Sequence, residues 1–225
     1  LKMNKYQYPI MSTYESRMNS MPIFISFCRT GTHLLKFLLE NCFDTHGLSS
    51  GVQRKYNSYM WFHEHDIHCL MPIFNKVLYL YRNPVEVISS FVYVEKRKEL
   101  NKNYSIKEIM IVLTNLYKKQ LEKYLINYPN EVVSIRYERL LKGYDEFQIA
   151  CNYFNVDIDR QKFNDVYRIA TKEKVIESVN HFSGFYGKFL LSNEYEEYKI
   201  NFKKKYTNII NDIIFENNKF SQFFK

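Results

Sequence analysis

The chain is poor in the residues that loosen or staple a fold. It has only 6 glycines and 5 prolines in 225 residues, which argues against long linkers. No apolar run approaches the roughly 20 residues that a membrane-spanning helix needs. The four cysteines, Cys28, Cys42, Cys69 and Cys151, form no CxxC pair and no zinc-finger spacing. With no signal peptide in view, reduced thiols in a cytoplasmic compartment are expected. There is no internal repeat and no basic low-complexity tail. The densest cationic run, Lys203-Lys204-Lys205, is short and reads as a solvated helix face.

What is present belongs to a globular protein. A hydrophobic content of 46% with 25% charged residues lets a chain of this length bury a real core, and one domain over 1–225 is expected. Residues 1–20 mix polar and apolar types and read as an irregular lead-in. The net charge of +8 suits an anionic partner, and nucleic acid, an anionic membrane surface or a polyphosphorylated cofactor all qualify. The 20 tyrosines and 18 phenylalanines are spread along the whole chain, so they mark no stacking surface.

Strands alternate with helices. Ile23–Phe27 is a short apolar run, followed by the polar turn Cys28-Arg29-Thr30-Gly31-Thr32-His33 and an apolar helical run from Leu34. Residues 41–60 read as a loop region. A strand is expected to enter the polar cluster Trp61–Cys69. Val77-Leu78-Tyr79-Leu80-Tyr81 is continuous enough for a parallel strand buried on both faces. Asn83, Pro84 and Glu86 predict a helix start with a capping box. Apolar residues at three-and-four spacing predict a helix over 105–127, and Val132–Ile135 reads as another buried strand. Helices are expected over 144–155, 160–170 and 194–217, and a loop over Ser178–Gly187. The pattern predicts a three-layer α/β/α fold with a central parallel sheet.

Two stretches carry chemistry. Strand, small-residue turn and helix make a phosphate cradle: turn amides and the helix N-terminus offer positive charge, and Gly31 permits close approach. Thr30 and Thr32 add hydroxyls, and Arg29 adds a planar cation. Arg82 follows the second buried strand, and Ser90 lies about two helical turns beyond it. In open α/β sheets ligands bind at the carboxyl ends of the strands, so Arg29 and Arg82 suit two phosphates on one rim. The turn lacks the Gly-x-x-x-x-Gly-Lys-Ser/Thr pattern, which leaves Mg²⁺–ATP chemistry unsupported.

These residues resemble a family. Cys28–His33 followed by Leu34-Leu35 is similar to the 5′-phosphosulfate loop of sulfotransferases that use 3′-phosphoadenosine 5′-phosphosulfate (PAPS) and release 3′-phosphoadenosine 5′-phosphate (PAP). Tyr81-Arg82-Asn83-Pro84-Val85-Glu86-Val87-Ile88-Ser89-Ser90 resembles their 3′-phosphate motif, with every patterned place filled. Ile135-Arg136-Tyr137-Glu138-Arg139-Leu140 is similar to a later Tyr-Glu-x-Leu segment. The resemblance implies a P-loop-like sulfotransferase fold and sulfuryl transfer to a hydroxyl, or in second place an amine, of a small-molecule or carbohydrate acceptor. It places Arg29, Thr30, Gly31, Thr32 and His33 on the 5′-phosphosulfate, Arg82 and Ser90 on the 3′-phosphate, and Tyr137 and Thr171 near the adenine. The family's C-terminal Arg-Lys-Gly clamp is altered: Phe182-Ser183 precede Gly184, leaving Ser183, Gly184 or Lys188 to stand in.

The resemblance also places a general base between the two motifs, where His63, Glu64 and His65 are candidates. His65 is favoured because His65-Asp66 is similar to a His-Asp pair in bacterial members, with His63 second and Glu64 third. A neutral imidazole suits proton abstraction near neutral pH. Two other classes stay in view. A basic α/β module binding nucleic acid or another polyanion accounts for the charge. A metal-dependent hydrolase would use His63, His65 and His68, but Ile67 stands where the matching pattern has Asp, and no metal is predicted. The acceptor pocket is expected from loops 44–60, 95–105 and 178–192.

Overall fold

Five short parallel strands set the frame. The computed structural model describes residues 21–49, 59–73, 75–98, 101, 103–183 and 192–225. The expected lead-in, Lys188 and Gly184 lie outside them. Strands β1 (Ile23–Ser26), β2 (Gly47–Ser49), β3 (Trp61–Glu64), β4 (Val77–Tyr81) and β5 (Val132–Arg136) form one sheet in the order β2-β3-β1-β4-β5. Central β1 pairs parallel with both neighbours, Ile25 opposite Glu64 on one side and Ser26 opposite Leu80 on the other. The carboxyl ends of β1, β3 and β4 therefore share one rim.

Alternation along the strands feeds two apolar clusters. Ile23, Ile25, Val77, Tyr79 and Tyr81 point to one face of the sheet, and Phe24, Leu78, Leu80 and Ile135 to the other. The first face is covered by helices α2 (Pro84–Lys96), α3 (Ile106–Leu121) and α8 (Asn193–Ile214). The second is covered by α1 (Thr32–Phe43), α5 (Tyr144–Phe154) and α6 (Arg160–Ile169). This is the expected three-layer α/β/α architecture. Short α4 (Tyr137–Leu140) follows β5, and α7 (Lys172–Ser183) follows α6. Among the described residues no helix is long and apolar enough to cross a membrane.

Several local expectations need correction. Residues 41–60 are not all loop: α1 runs to Phe43, and Gly47–Ser49 form β2. Gly47 serves packing there, since a Cβ would come within 2.2 Å of Trp61 Nε1. The stretch Ser178–Ser183 is helical, because no glycine or proline interrupts the chain from Thr171, whose hydroxyl accepts from Lys174 N–H, to Ser183. β5 is an edge strand in which only Ile135 is fully buried. Asn83 does cap α2, accepting from Val85 and Glu86 N–H at 3.0 and 3.4 Å. The capping box is not closed, however, because Asn83 N–H donates to Glu138 Oε1 at 2.8 Å. The closed box belongs to α3, between Ser105 and Glu108. The 105–127 helix is α3 followed by a π-helical segment, Glu122–Asn127.

Candidate active site

The cradle grows out of β1. After Ser26 the chain turns through two left-handed residues, Arg29 (φ 72°) and Gly31 (φ 97°). Thr30 spends its hydroxyl on the turn, donating to Phe27 O at 2.8 Å. Gly31 is the N-cap of α1 and makes no side-chain cap, so the first-turn amides face the rim as an anion-attracting end. Glycine is required at 31 twice over. The backbone is left-handed, and a Cβ would lie 2.1 Å from Tyr137 Cδ2. The Tyr137 ring thus covers the turn, and the Arg82 guanidinium lies 4.5 Å from its centroid.

The β4 side of the rim holds the second cation. Tyr117 of α3 pins the Arg82 backbone: its hydroxyl accepts from Arg82 N–H at 3.0 Å and donates to Arg82 O at 2.7 Å. Arg82 Nη1 donates to Arg29 O at 3.4 Å, and Nη2 lies 3.5 Å from Glu86, which also pairs with Lys203. Arg29 Nε donates to buried Ser90 Oγ at 3.1 Å. Burial lowers the Arg29 pKa, and the nearby Arg82 charge works in the same direction. Arg82 Nε is buried with no hydrogen-bond partner. A buried guanidinium donor left open on the rim that also carries Arg29 and a helix N-terminus fits an anionic group of the phosphate kind.

The β3 side is neutral and densely bonded. Ser26 Oγ lies 2.8 Å from Thr32 Oγ1, 2.9 Å from His63 Nε2 and 3.4 Å from His65 Nδ1. His65 Nδ1 is also 3.2 Å from Ser26 O. The two imidazoles meet edge to face with centroids 4.8 Å apart. Burial holds His63 well below the ordinary histidine range, and His65 and Lys36 add to that. For His65, burial pulls the same way, but the Cys28 sulfur and the Ser26 carbonyl outweigh it and its pKa is raised. Glu64 turns back to accept from His65 N–H at 2.8 Å.

The turn after His65 is anchored from α3 and the π-helical segment. Gln120 Nε2 donates to His65 O and Asp66 O. Buried Asp66 accepts from Tyr124 OH and Lys123 Nζ, each at 2.6 Å, and from Met71 N–H at 3.0 Å. His68 is exposed on that turn, and among the described residues no group of His, Cys, Asp or Glu is arranged to hold a metal ion.

Neither the protein-family models nor the curated proteins yield a match. Among solved structures the chain is similar to mouse sulfotransferase SULT7A1 complexed with PAP. The TM-score is 0.54 at 12% identity, over 69% of this chain and 65% of that one. The fold is sulfotransferase-like. The matched part spans less than two thirds of the mouse protein, and the likeness is one of architecture.

On this sulfotransferase-like frame the residues singled out in the sequence fall into three groups. Arg29, Thr30, Gly31, Thr32, Arg82, Ser90 and Tyr137 come together around the turn, with His63, Glu64 and His65 beside them. His33 is exposed on the first turn of α1. Thr171 stands at the junction of α6 and α7: its N–H donates to Ile169 O at 2.8 Å, and its carbonyl and hydroxyl accept from Val175 and Lys174 N–H. Ser183 ends that helix, and its side chain lies outside the described set, as do Gly184 and Lys188. Ser26, Tyr117, Gln120 and Lys36 also take part and belong to no motif in the sequence. Tyr117 lies within an apolar stripe whose spacing marks only core. Lys36 lies one turn beyond Thr32 on α1, close enough for its charge to oppose protonation of His63 and His65.

Proposed function

We propose that this chain is a PAPS-dependent sulfotransferase acting on a hydroxyl acceptor, with PAP as the released product. The observation that carries this reading is the pair Arg29 and Arg82. They stand just past the ends of adjacent strands, Arg29 leading into an uncapped helix N-terminus and Arg82 with a buried, unpaired Nε. The bound donor supplies a sulfuryl group already attached to a phosphate leaving group. Arg29, the turn amides and Thr32 hold the 5′ end, where charge grows on the leaving oxygen. Arg82 and Ser90 hold the 3′-phosphate, and the Tyr137 ring offers a flat apolar surface to the adenine.

His65 is the base in this reading. Its Nδ1–H donates to Ser26 O, which leaves the Nε2 lone pair to take the acceptor proton. The acceptor oxygen–sulfur bond forms as the bond from sulfur to the phosphate oxygen breaks, and the proton moves to His65. His63 and Glu64 are placed less well for this, since one is bonded to Ser26 and the other to the His65 backbone.

Thermal unfolding with PAP tests the reading. At a hundred times its dissociation constant, PAP should stabilise the fold by about 2.7 kcal/mol, whereas adenosine should not. A protein indifferent to millimolar PAP but stabilised by unrelated polyanions is a basic binding module instead. A panel of hydroxyl acceptors with labelled PAPS then identifies the acceptor class.

A further inference from the structure

We propose that His63 and Ser26 are positioning residues that orient the Thr32 hydroxyl as a donor into the phosphate cradle. The proposal rests on the sulfotransferase reading above and assigns a use to a histidine that the reaction leaves over.

The geometry is a chain of three groups. His63 Nε2, Ser26 Oγ and Thr32 Oγ1 follow one another at 2.9 and 2.8 Å. All three side chains are buried: Ser26 is 0% exposed, His63 4% and Thr32 5%. The Ser26 carbonyl can only accept, so His65 Nδ1 carries a proton and cannot take one from Ser26 Oγ. With one N–H on a neutral His63 and one proton on each hydroxyl, the chain then runs in one of two directions. With the proton on His63 Nε2, His63 donates to Ser26 and Ser26 donates to Thr32. The Thr32 proton is then left for a third partner at the helix N-terminus. With His63 as the Nδ1–H form, the chain reverses. Thr32 donates inward and shows only lone pairs to the rim, which repels an anion. The tautomer of one buried histidine therefore decides whether the first hydroxyl of α1 attracts or repels a phosphate.

The surroundings keep His63 in its neutral form. Burial disfavours its protonation first, His65 and Lys36 add to that, and the Phe24 ring lies 4.9 Å away. A protonated His63 would still donate through Nε2, so it is the choice between neutral forms that matters. Parallel pairing of Phe24 with His63 holds β3 at the height where Nε2 reaches Ser26.

Two nucleotides and two variants test this. PAP carries a 5′-phosphate, and adenosine 3′-monophosphate lacks it. His63→Leu should bind PAP on the order of tenfold more weakly, as for loss of one hydrogen bond to a charged group. Its affinity for adenosine 3′-monophosphate should be unchanged. His63→Gln, which keeps a donor near the Nε2 position, should recover most of the PAP affinity. Equal weakening for both nucleotides, or for neither, overturns the proposal. If His63→Leu does not fold, Ser26→Ala with rescue by Ser26→Thr makes the same comparison. Histidine ¹⁵N shifts of the wild-type protein provide a readout independent of any nucleotide. A neutral Nε2–H form at His63 is expected, and an Nδ1–H form overturns the proposal. If the wild type binds neither nucleotide while His63 is Nε2–H, the sulfotransferase reading fails and the hydrogen-bond chain stands as a feature of the fold.

Discussion

The two flanks of the cradle are built on opposite principles. On the β4 flank, charged groups are only partly partnered: two guanidiniums lie close together, Arg82 keeps a bare buried donor, and Glu86 is shared between Arg82 and Lys203. On the β3 flank, Ser26, Thr32, His63 and His65 form a close-bonded cluster with neutral His63 at its centre, and Gln120 and Asp66 lock the turn behind it. The first arrangement is costly until an anion arrives and therefore suits binding. The second is satisfied in advance, so it suits a proton transfer in which one nitrogen must be held in place. An enzyme of the proposed kind, gripping a nucleotide at two phosphate sites and removing one proton, needs both, and central β1 keeps them apart.

Substitutions at one residue on each flank make the sharpest test. His65→Ala should lower kcat about 10²- to 10⁴-fold and leave PAP affinity close to wild type. Arg29→Ala should lower kcat about 10²- to 10³-fold and weaken PAP binding as well. If His65→Ala costs nucleotide affinity and Arg29→Ala does not, the division of labour is wrong. Single-turnover rates and isothermal titration decide it.

Gly31→Ala has a smaller expected effect and bears on the turn between the flanks. A side chain at φ 97° meeting Tyr137 at 2.1 Å should cost about 1–3 kcal/mol of stability. Adding Tyr137→Ala removes the steric part, so the double variant should be more stable than the sum of the single changes predicts. Strict additivity in urea unfolding would mean that the ring does not press on the turn.

The smallest effect is in the pH dependence, where the two histidines pull in opposite directions. His63, held below its ordinary 6.5, binds a proton more readily when unfolded. Its contribution is fully present above about pH 6.5 and is lost as pH falls, by up to about 1.4 kcal/mol per unit. His65, whose folded pKa is raised, contributes below about 6.5 and loses that as pH rises through its folded value. The His63→Gln variant should therefore lose less stability on acidification than the wild type. Catalysis that needs neutral His65 should rise with pH through a midpoint above 6.5. An activity limb below 6.5 would point to a different base.

Much of the frame was legible in the residues, for local reasons. Val77–Tyr81 is unbroken because both its faces are covered, and Asn83-Pro84 announces α2 because cap and fixed φ act within one turn. What escaped the sequence depends on distant partners. Three-residue β2 carries a glycine that looks like a turn until Trp61 packs on it. Glu86 stands at capping-box spacing, yet Glu138 takes the Asn83 N–H from 55 positions away. In the site, arginines after strands are visible as a pattern, because position on the rim follows from topology. Ser26 is invisible as a member of the site, because a lone serine at a strand end gains meaning only when His63 and Thr32 close on it from two other elements.

Tyr117 and Gln120 are three residues apart on α3. One clasps both backbone polar groups of Arg82, and the other reaches the carbonyls of His65 and Asp66. A single rigid rod thereby acts as the gauge that fixes the span between Arg82 and the His65 turn, set by less than one helical pitch of about 5.4 Å. A glycine or an inserted residue between 117 and 120 would detune both ends at once while touching neither.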